Sequence, residues 1–152
     1  KADVEIVLDT RGNLLQNNIH GNFFIKPNIH ELRDMFNEKL ETKEEIVKKC
    51  SFFLERGVKN IIISRGGDGA LLVNKEFVLE ASVPEGELIN SIGAGDSMVA
   101  GFIAGHVKGY SVEDSFRLAV ASGSATAYSY GLAENELVEK LYKEIKIIKE
   151  DV

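Results

Sequence analysis

Short apolar runs alternate along this chain with stretches in which apolar residues return every three or four positions. Val4–Leu8 is one such run; it ends at Asp9-Thr10 and Gly12 and predicts a buried strand followed by a turn. Leu14–Asn18 is long enough for one helical turn, and Asn22–Ile25 predicts a second strand closed by Lys26-Pro27-Asn28. Ile29–Asn37 places Leu32, Met35 and Phe36 on one face of a helix. Thr42-Lys43-Glu44-Glu45 has the spacing of a capping box. It opens a helix through Arg56 with Ile46, Val47, Cys50, Phe53 and Leu54 inward, and Gly57 stops it.

The run Lys59–Ser64 is β-branched without alternation, which fits a strand covered on both faces, as in a parallel sheet. Arg65–Gly69 reads as a glycine-rich loop, and Ala70–Val73 with Glu76–Leu79 as a hairpin around Asn74-Lys75. A helix follows from Ala94 to Val107, ending at Gly109, and Ser111 starts another that reaches Tyr130. A last amphipathic helix is expected from Glu134 to Ile148. Strand–helix alternation argues an α/β layered fold with a mainly parallel sheet.

Composition narrows the classes. The 152 residues suit one domain with a real core, and 44% hydrophobic with 28% charged residues is ordinary for a globular protein. A net charge of −6 opposes non-specific binding to nucleic acid or an anionic membrane. No apolar run approaches the roughly 20 residues that span a bilayer, and no signal peptide is visible. The single cysteine, Cys50, excludes an internal disulfide, fits a reducing cytoplasm and reads as a structural thiol. His20, His30 and His106 share no metal-ligand spacing and read as structural.

The segment Ser91-Ile92-Gly93-Ala94-Gly95-Asp96-Ser97-Met98 carries the chemistry. Its small residues permit a tight turn and a close backbone approach to a ligand. The helix that starts there aims free N–H groups and its positive dipole end at that ligand, which favours an anion. Beside a bound phosphate, Asp96 is placed to take a proton from an attacking hydroxyl. The plainer alternative is an acid that only complements the helix dipole.

Three loops fall beyond the carboxyl ends of the expected strands, where an open α/β sheet binds ligands: Lys26–Glu31, Ser64–Gly69 and Ile92–Asp96. Four segments then carry a resemblance. They are Lys26-Pro27-Asn28-x-x-Glu31, Ser64-x-Gly66-x-x-Gly69-Ala70, Asn90-Ser91-Ile92-Gly93-Ala94-Gly95-Asp96-Ser97, and the run Ala121–Ala127. Their order and spacing resemble the C-terminal half of the ribokinase-like sugar kinases, the phosphofructokinase-B family, across essentially the whole chain. The Asn-Ser form before the glycines is similar to the branch that holds 1-phosphofructokinase and tagatose-6-phosphate kinase.

The resemblance implies a three-layer α/β/α fold, ATP and Mg²⁺ as cofactors, and transfer of the ATP γ-phosphate to fructose 1-phosphate or a related sugar phosphate. A non-catalytic nucleotide-binding module of the same fold is the rival of another class. Asp96 matches the family's catalytic base, and the backbone of Gly93, Ala94 and Gly95 its anion hole. Asn28 and Glu31 match the motif that organises Mg²⁺ and phosphates through water, with Lys26 a candidate for the ATP phosphates; taken alone, Glu31 reads as a solvated helix residue or a first-turn dipole partner. Ser64, Gly66 and Gly69 match the loop that embraces ATP. Arg65, where the family often has Leu, touches a phosphate or faces solvent. Val120 and Ser124 match the adenine-side wall; tight helix packing is the alternative for both. Asn90, Ile92 and Gly131 match positions whose carbonyls hold a monovalent cation, K⁺, in some members.

Complete family members also carry an N-terminal half with sugar-recognition residues and a β-sheet lid. That half is expected to be absent here, because the chain opens at Lys1-Ala2-Asp3, without Met, directly against a central strand. Residues 1–152 then form the C-terminal ATP-binding and catalytic part of a kinase, inactive alone and with a sheet edge left open. The parent is expected to be cytoplasmic, a homodimer through its lid, acting on small molecules and on neither nucleic acid nor membrane.

Overall fold

A computed structural model describes residues 4–152; Lys1-Ala2-Asp3 and their expected place against the first strand lie outside the described residues. In chain order come β1 (Val7–Leu8), α1 (Gly12–Asn18), β2 (Phe24–Ile25), α2 (Ile29–Phe36), α3 (Lys43–Leu54) and β3 (Asn60–Ser64). A 3-10 turn at Gly66–Asp68 leads to β4 (Ala70–Val73), β5 (Phe77–Ala81), α4 (Ala94–Val107), α5 (Val112–Ala127), α6 (Asn135–Glu144) and β6 (Ile147–Asp151).

The strands form one six-stranded sheet in chain order. β1, β2 and β3 are parallel, with Val7 opposite Phe24 and Phe24 opposite Asn60. The hairpin β4–β5 turns at Asn74, whose Oδ1 accepts the N–H groups of Glu76 and Phe77, both at 2.9 Å. β6 runs against β5, since Val152 N–H donates to Glu76 O at 3.1 Å and Ser82 N–H to Lys146 O at 3.0 Å. Parallel pairing therefore belongs to the first half of the sheet, and antiparallel pairing is added at its far side.

The chain divides into two compact units: 1–65 with 71–78 and 149–152, and 66–70 with 79–148. The first is built on large side chains. Ile61 and Ile63 of β3, Leu71 and Val73 of β4, Ile46, Cys50 and Phe53 of α3, and Leu32 of α2 share one buried cluster. Phe36, Phe52 and Phe53 add edge-to-face ring contacts at 5.4–6.2 Å. Thr42 caps α3 as the sequence predicts: its side chain accepts the Glu45 N–H while Glu45 folds back onto the Thr42 N–H. Burial pushes the Cys50 thiol up to about 12, which suits a packing residue rather than a nucleophile.

The second unit is built on small ones. α4 lies against α5 so closely that a Cβ on Gly101 would sit 2.6 Å from Ser122 Oγ, and one on Gly105 2.8 Å from Ser115 Cα. α6 is tied to α5 by Arg117, which donates to Ile145 O at 2.6 Å, and by Tyr142, which donates to Asp114 at 3.2 Å. The last helix is shorter than the sequence predicts: it stops at Glu144, and Ile147–Asp151 is a strand. No Gly or Pro marks that stop, and the β-branched Ile147-Ile148 serve either state. Pairing beside β5 decides between them, with Ser82 and Lys146 exchanging hydrogen bonds.

Candidate functional site

The predicted site residues fall into one group in each unit. In the first unit, β2 leaves the sheet through Lys26-Pro27 and enters α2 at Asn28, beside the end of β3. Ser64 N–H donates to Pro27 O at 3.4 Å, and Asn28 and Ser64 form an isolated parallel bridge. Lys26, Asn28, Glu31 and Ser64 are thus brought together at the carboxyl ends of two parallel strands. Lys26 is only 7% exposed, and its Nζ stands 3.9 Å from Asp9 Oδ1 just beyond β1. Sequence reasoning read Asp9 as a turn residue; its charge opposite a buried lysine is a feature only the strand order reveals.

Asn28 and Glu31 have a local task that the motif alone does not announce. Asn28 Oδ1 accepts the Glu31 N–H at 2.9 Å, and Glu31 Oε2 accepts the Asn28 N–H at 2.9 Å, a complete capping box for α2. The second Glu31 carboxylate oxygen is outside the cap. Among the described residues no group of three His, Cys, Asp or Glu could hold a metal ion by itself. One carboxylate oxygen beside an amide fits Mg²⁺, which keeps several waters and takes further ligands from phosphates.

In the second unit, Gly69 meets β5 so closely that a Cβ would lie 2.1 Å from Ala81 O, and its φ of +82° is a glycine conformation. Gly66 opens the 3-10 turn, and its carbonyl accepts the Gly69 N–H at 3.1 Å. Arg65, just before it, is half-buried. The Asn90–Asp96 segment follows β5. Asn90 Oδ1 accepts the Ile92 N–H at 3.0 Å, Ile92 itself is 81% exposed, and Gly93 at φ +79° is the N-cap of α4. The Ala94 N–H donates back to Ser91 O at 3.2 Å. Gly95 and Asp96 occupy the next two helical positions, and Asp96 is exposed.

The start of α4 differs from three other helix starts in this chain. α2, α3 and α5 each have an acid three residues after a capping side chain: Glu31 after Asn28, Glu45 after Thr42 and Asp114 after Ser111. In each the acid hydrogen-bonds back to its cap residue. Asp96 stands at the same position of α4, but Gly93 offers no side chain, and this helix end has no side-chain cap. The dipole end and the carboxylate therefore both face outward, and the arrangement can receive an anion and a proton together.

α5 supports this end of the unit. Gly123 lies so near that a Cβ there would be 3.0 Å from Ala94 O, which places Val120 and Ser124 on the helix that backs α4. Val120 is buried and Ser124 half-buried. Sequence reasoning took the last turn of α5 only as the end of the small-residue run Ala121–Ala127; in the structure it also holds the loop before α4. Tyr128 donates to Pro84 O at 2.7 Å, and its ring fills the place a side chain at Gly86 would need. Ala127 O accepts the Ile89 and Asn90 N–H groups at 2.9 and 3.0 Å, and Thr126 donates to Ser97 Oγ at 2.8 Å. Burial raises the Tyr128 hydroxyl above its usual pKa. Gly131 is exposed in the loop after α5.

A family model described as pfkB family carbohydrate kinase matches residues 1–139. A 1-phosphofructokinase of Bacillus subtilis is 45% identical over 150 residues, which cover 98% of this chain and 50% of that protein. Arabidopsis thaliana ribokinase, solved with ribose and ATP, superposes with a TM-score of 0.81 at 27% identity, covering 92% of this chain and 48% of that one. Escherichia coli phosphofructokinase-2, solved in complex with potassium, gives 0.85 at 27% identity, covering 91% and 47%. The fold is ribokinase-like, and the chain spans about half the length of the relatives it matches. No helix among the described residues is long and apolar enough to cross a membrane.

Proposed function

The chain belongs to the pfkB family of carbohydrate kinases, and on that premise we propose that it is the ATP-binding and catalytic part of a sugar-phosphate kinase. The acceptor is fructose 1-phosphate and the product fructose 1,6-bisphosphate. The observation that carries this reading is the uncapped start of α4, where Gly93 leaves the dipole end open and Asp96 exposed beside it.

The transfer is direct and in line. A sugar hydroxyl oxygen bonds to the γ-phosphorus as the bond to the ADP oxygen breaks, and Asp96 takes the hydroxyl proton. Backbone N–H groups of Gly93 and Gly95 face the charge spread over the transferring oxygens, and the Ala94 N–H joins them on leaving Ser91 O. Lys26 and Ser64 with the Gly66–Gly69 loop bind the nucleotide, and Val120 and Ser124 line its adenine side. Mg²⁺, when bound, would neutralise phosphate charge, held through water by Asn28 and Glu31. The carbonyls of Asn90, Ile92 and Gly131 are the candidates for K⁺, by analogy with the potassium complex of Escherichia coli phosphofructokinase-2.

Half of the relatives' length has no counterpart in these 152 residues. We place sugar recognition, the lid and a dimer interface there, and expect the 152 residues alone to be inactive. The test is a coupled assay of the full-length enzyme with MgATP and fructose 1-phosphate, tagatose 6-phosphate, fructose 6-phosphate and ribose in parallel. Preference for fructose 1-phosphate supports the reading. Preference for tagatose 6-phosphate moves the branch, and turnover of none favours a nucleotide-binding module.

A further inference from the structure

We propose that Thr126 is a positioning residue for phosphoryl transfer, fixing the first turn of α4 against the loop that follows α5; the inference rests on the kinase reading above. Thr126 is 2% exposed, and each part of its side chain has a distinct neighbour. Its hydroxyl donates to Ser97 Oγ at 2.8 Å, one residue past Asp96. The same oxygen accepts the Ala133 N–H at 3.5 Å. A hydroxyl oxygen carries one proton and two lone pairs, so Thr126 holds the Ala133 N–H and the Ser97 hydroxyl at the same time. Its methyl lies 3.9 Å from where a Cβ on Gly93 would be.

One buried side chain thus bonds the residue after the candidate base and the loop carrying Gly131, while its methyl faces the bare side of the N-cap glycine. α4 has no capping side chain to fix its own first turn, so the restraint comes from the neighbouring helix. The Ser97 N–H closes the first helical hydrogen bond onto Gly93 O at 2.9 Å, which makes Ser97 the residue through which Thr126 sets the direction of the turn. A displacement of the base by a fraction of an ångström is enough to slow an in-line transfer.

The experiment is a pair of substitutions in the full-length enzyme. Thr126→Val keeps the shape and removes the hydroxyl; Thr126→Ser keeps the hydroxyl and removes the methyl. Thr126→Val is expected to lower kcat about tenfold with the sugar KM unchanged, and Thr126→Ser to stay within about twofold. Ser97→Ala should match Thr126→Val, and the double variant should be no worse than the single ones, because both break one link. Equal losses in the Val and Ser variants, or additive losses in the double variant, would overturn the proposal. Amide hydrogen exchange reads the clamp apart from activity. Thr126→Val should speed exchange at Ser97 about tenfold and leave Phe102 unchanged, and no change at Ser97 would also overturn it. A wild-type enzyme that phosphorylates none of the sugars sinks the kinase reading, and with it the catalytic role of Thr126, even where the exchange result stands.

Discussion

Four helix starts in this chain share one sequence pattern, and only α4 is chemically open. At α2, α3 and α5 the cap and the acid three residues on satisfy each other. These ends are closed, and their acids serve stability. At α4 a glycine at φ +79° replaces the capping side chain, so Asp96 and the helix end stay available to a ligand. The lesson is that an acid in a first helical turn acquires chemistry from the residue three positions before it. The same carboxylate is a structural group behind Asn, Thr or Ser and a candidate base behind Gly.

The sharpest way to break the comparison is Asp96→Asn. We expect kcat of the full-length enzyme to fall by about 10²–10⁴-fold with ATP affinity largely kept, measured by steady-state kinetics and calorimetry. Equal activity would return Asp96 to the class of Glu45. Next comes Gly93→Ser, which offers α4 the kind of cap that α5 has. The left-handed φ makes it cost about 1–2 kcal/mol in urea unfolding, and a hydroxyl folded onto the helix end should reduce turnover as well.

At a closed end the effects are smaller and confined to stability. Thr42→Ala is expected to cost about 1 kcal/mol in chemical denaturation and to leave activity unchanged. The acid of that box has a pH signature. N–H groups of Glu41 and Thr42 hold the Glu45 carboxyl below its ordinary value of 4.5. Its stabilisation is therefore present above pH 4.5 and is lost as the pH falls through the lower folded value. Glu45→Gln keeps the box but does not titrate, so its stability should fall less steeply on acidification than that of the unmodified chain. Identical slopes would show that the carboxylate charge contributes nothing there.

Much of this was readable from the chain itself. The Thr42 box, the β3 run and the glycine before Asp96 are local signals, and the structure realises each where the pattern put it. The other features depend on pairs distant in sequence. Ile147–Asp151 becomes a strand only because β5 lies beside it, and Asp9 meets Lys26 only because β1 and β2 are neighbours. Thr126 looked like one more small residue in a tightly packed helix; its contact with Ser97 spans 29 positions. Glu31 was readable both as a metal-organising acid and as a first-turn dipole partner, but its reciprocal cap with Asn28 shows only in the structure.

The placement of aromatic residues also divides the molecule optically. The chain has no tryptophan, and its four tyrosines, Tyr110, Tyr128, Tyr130 and Tyr142, all lie in the unit that carries α4. Tyrosine absorbance and emission from this chain therefore come from that unit alone. Tyr128, with its ring over Gly86 and its hydroxyl on Pro84, sits on the loop before α4, whereas Tyr130 is 93% exposed. A nucleotide that reorders this loop would be visible in Tyr128 emission without any label, and replacing both exposed tyrosines, Tyr110 (45%) and Tyr130, by Phe would remove the solvent-exposed background.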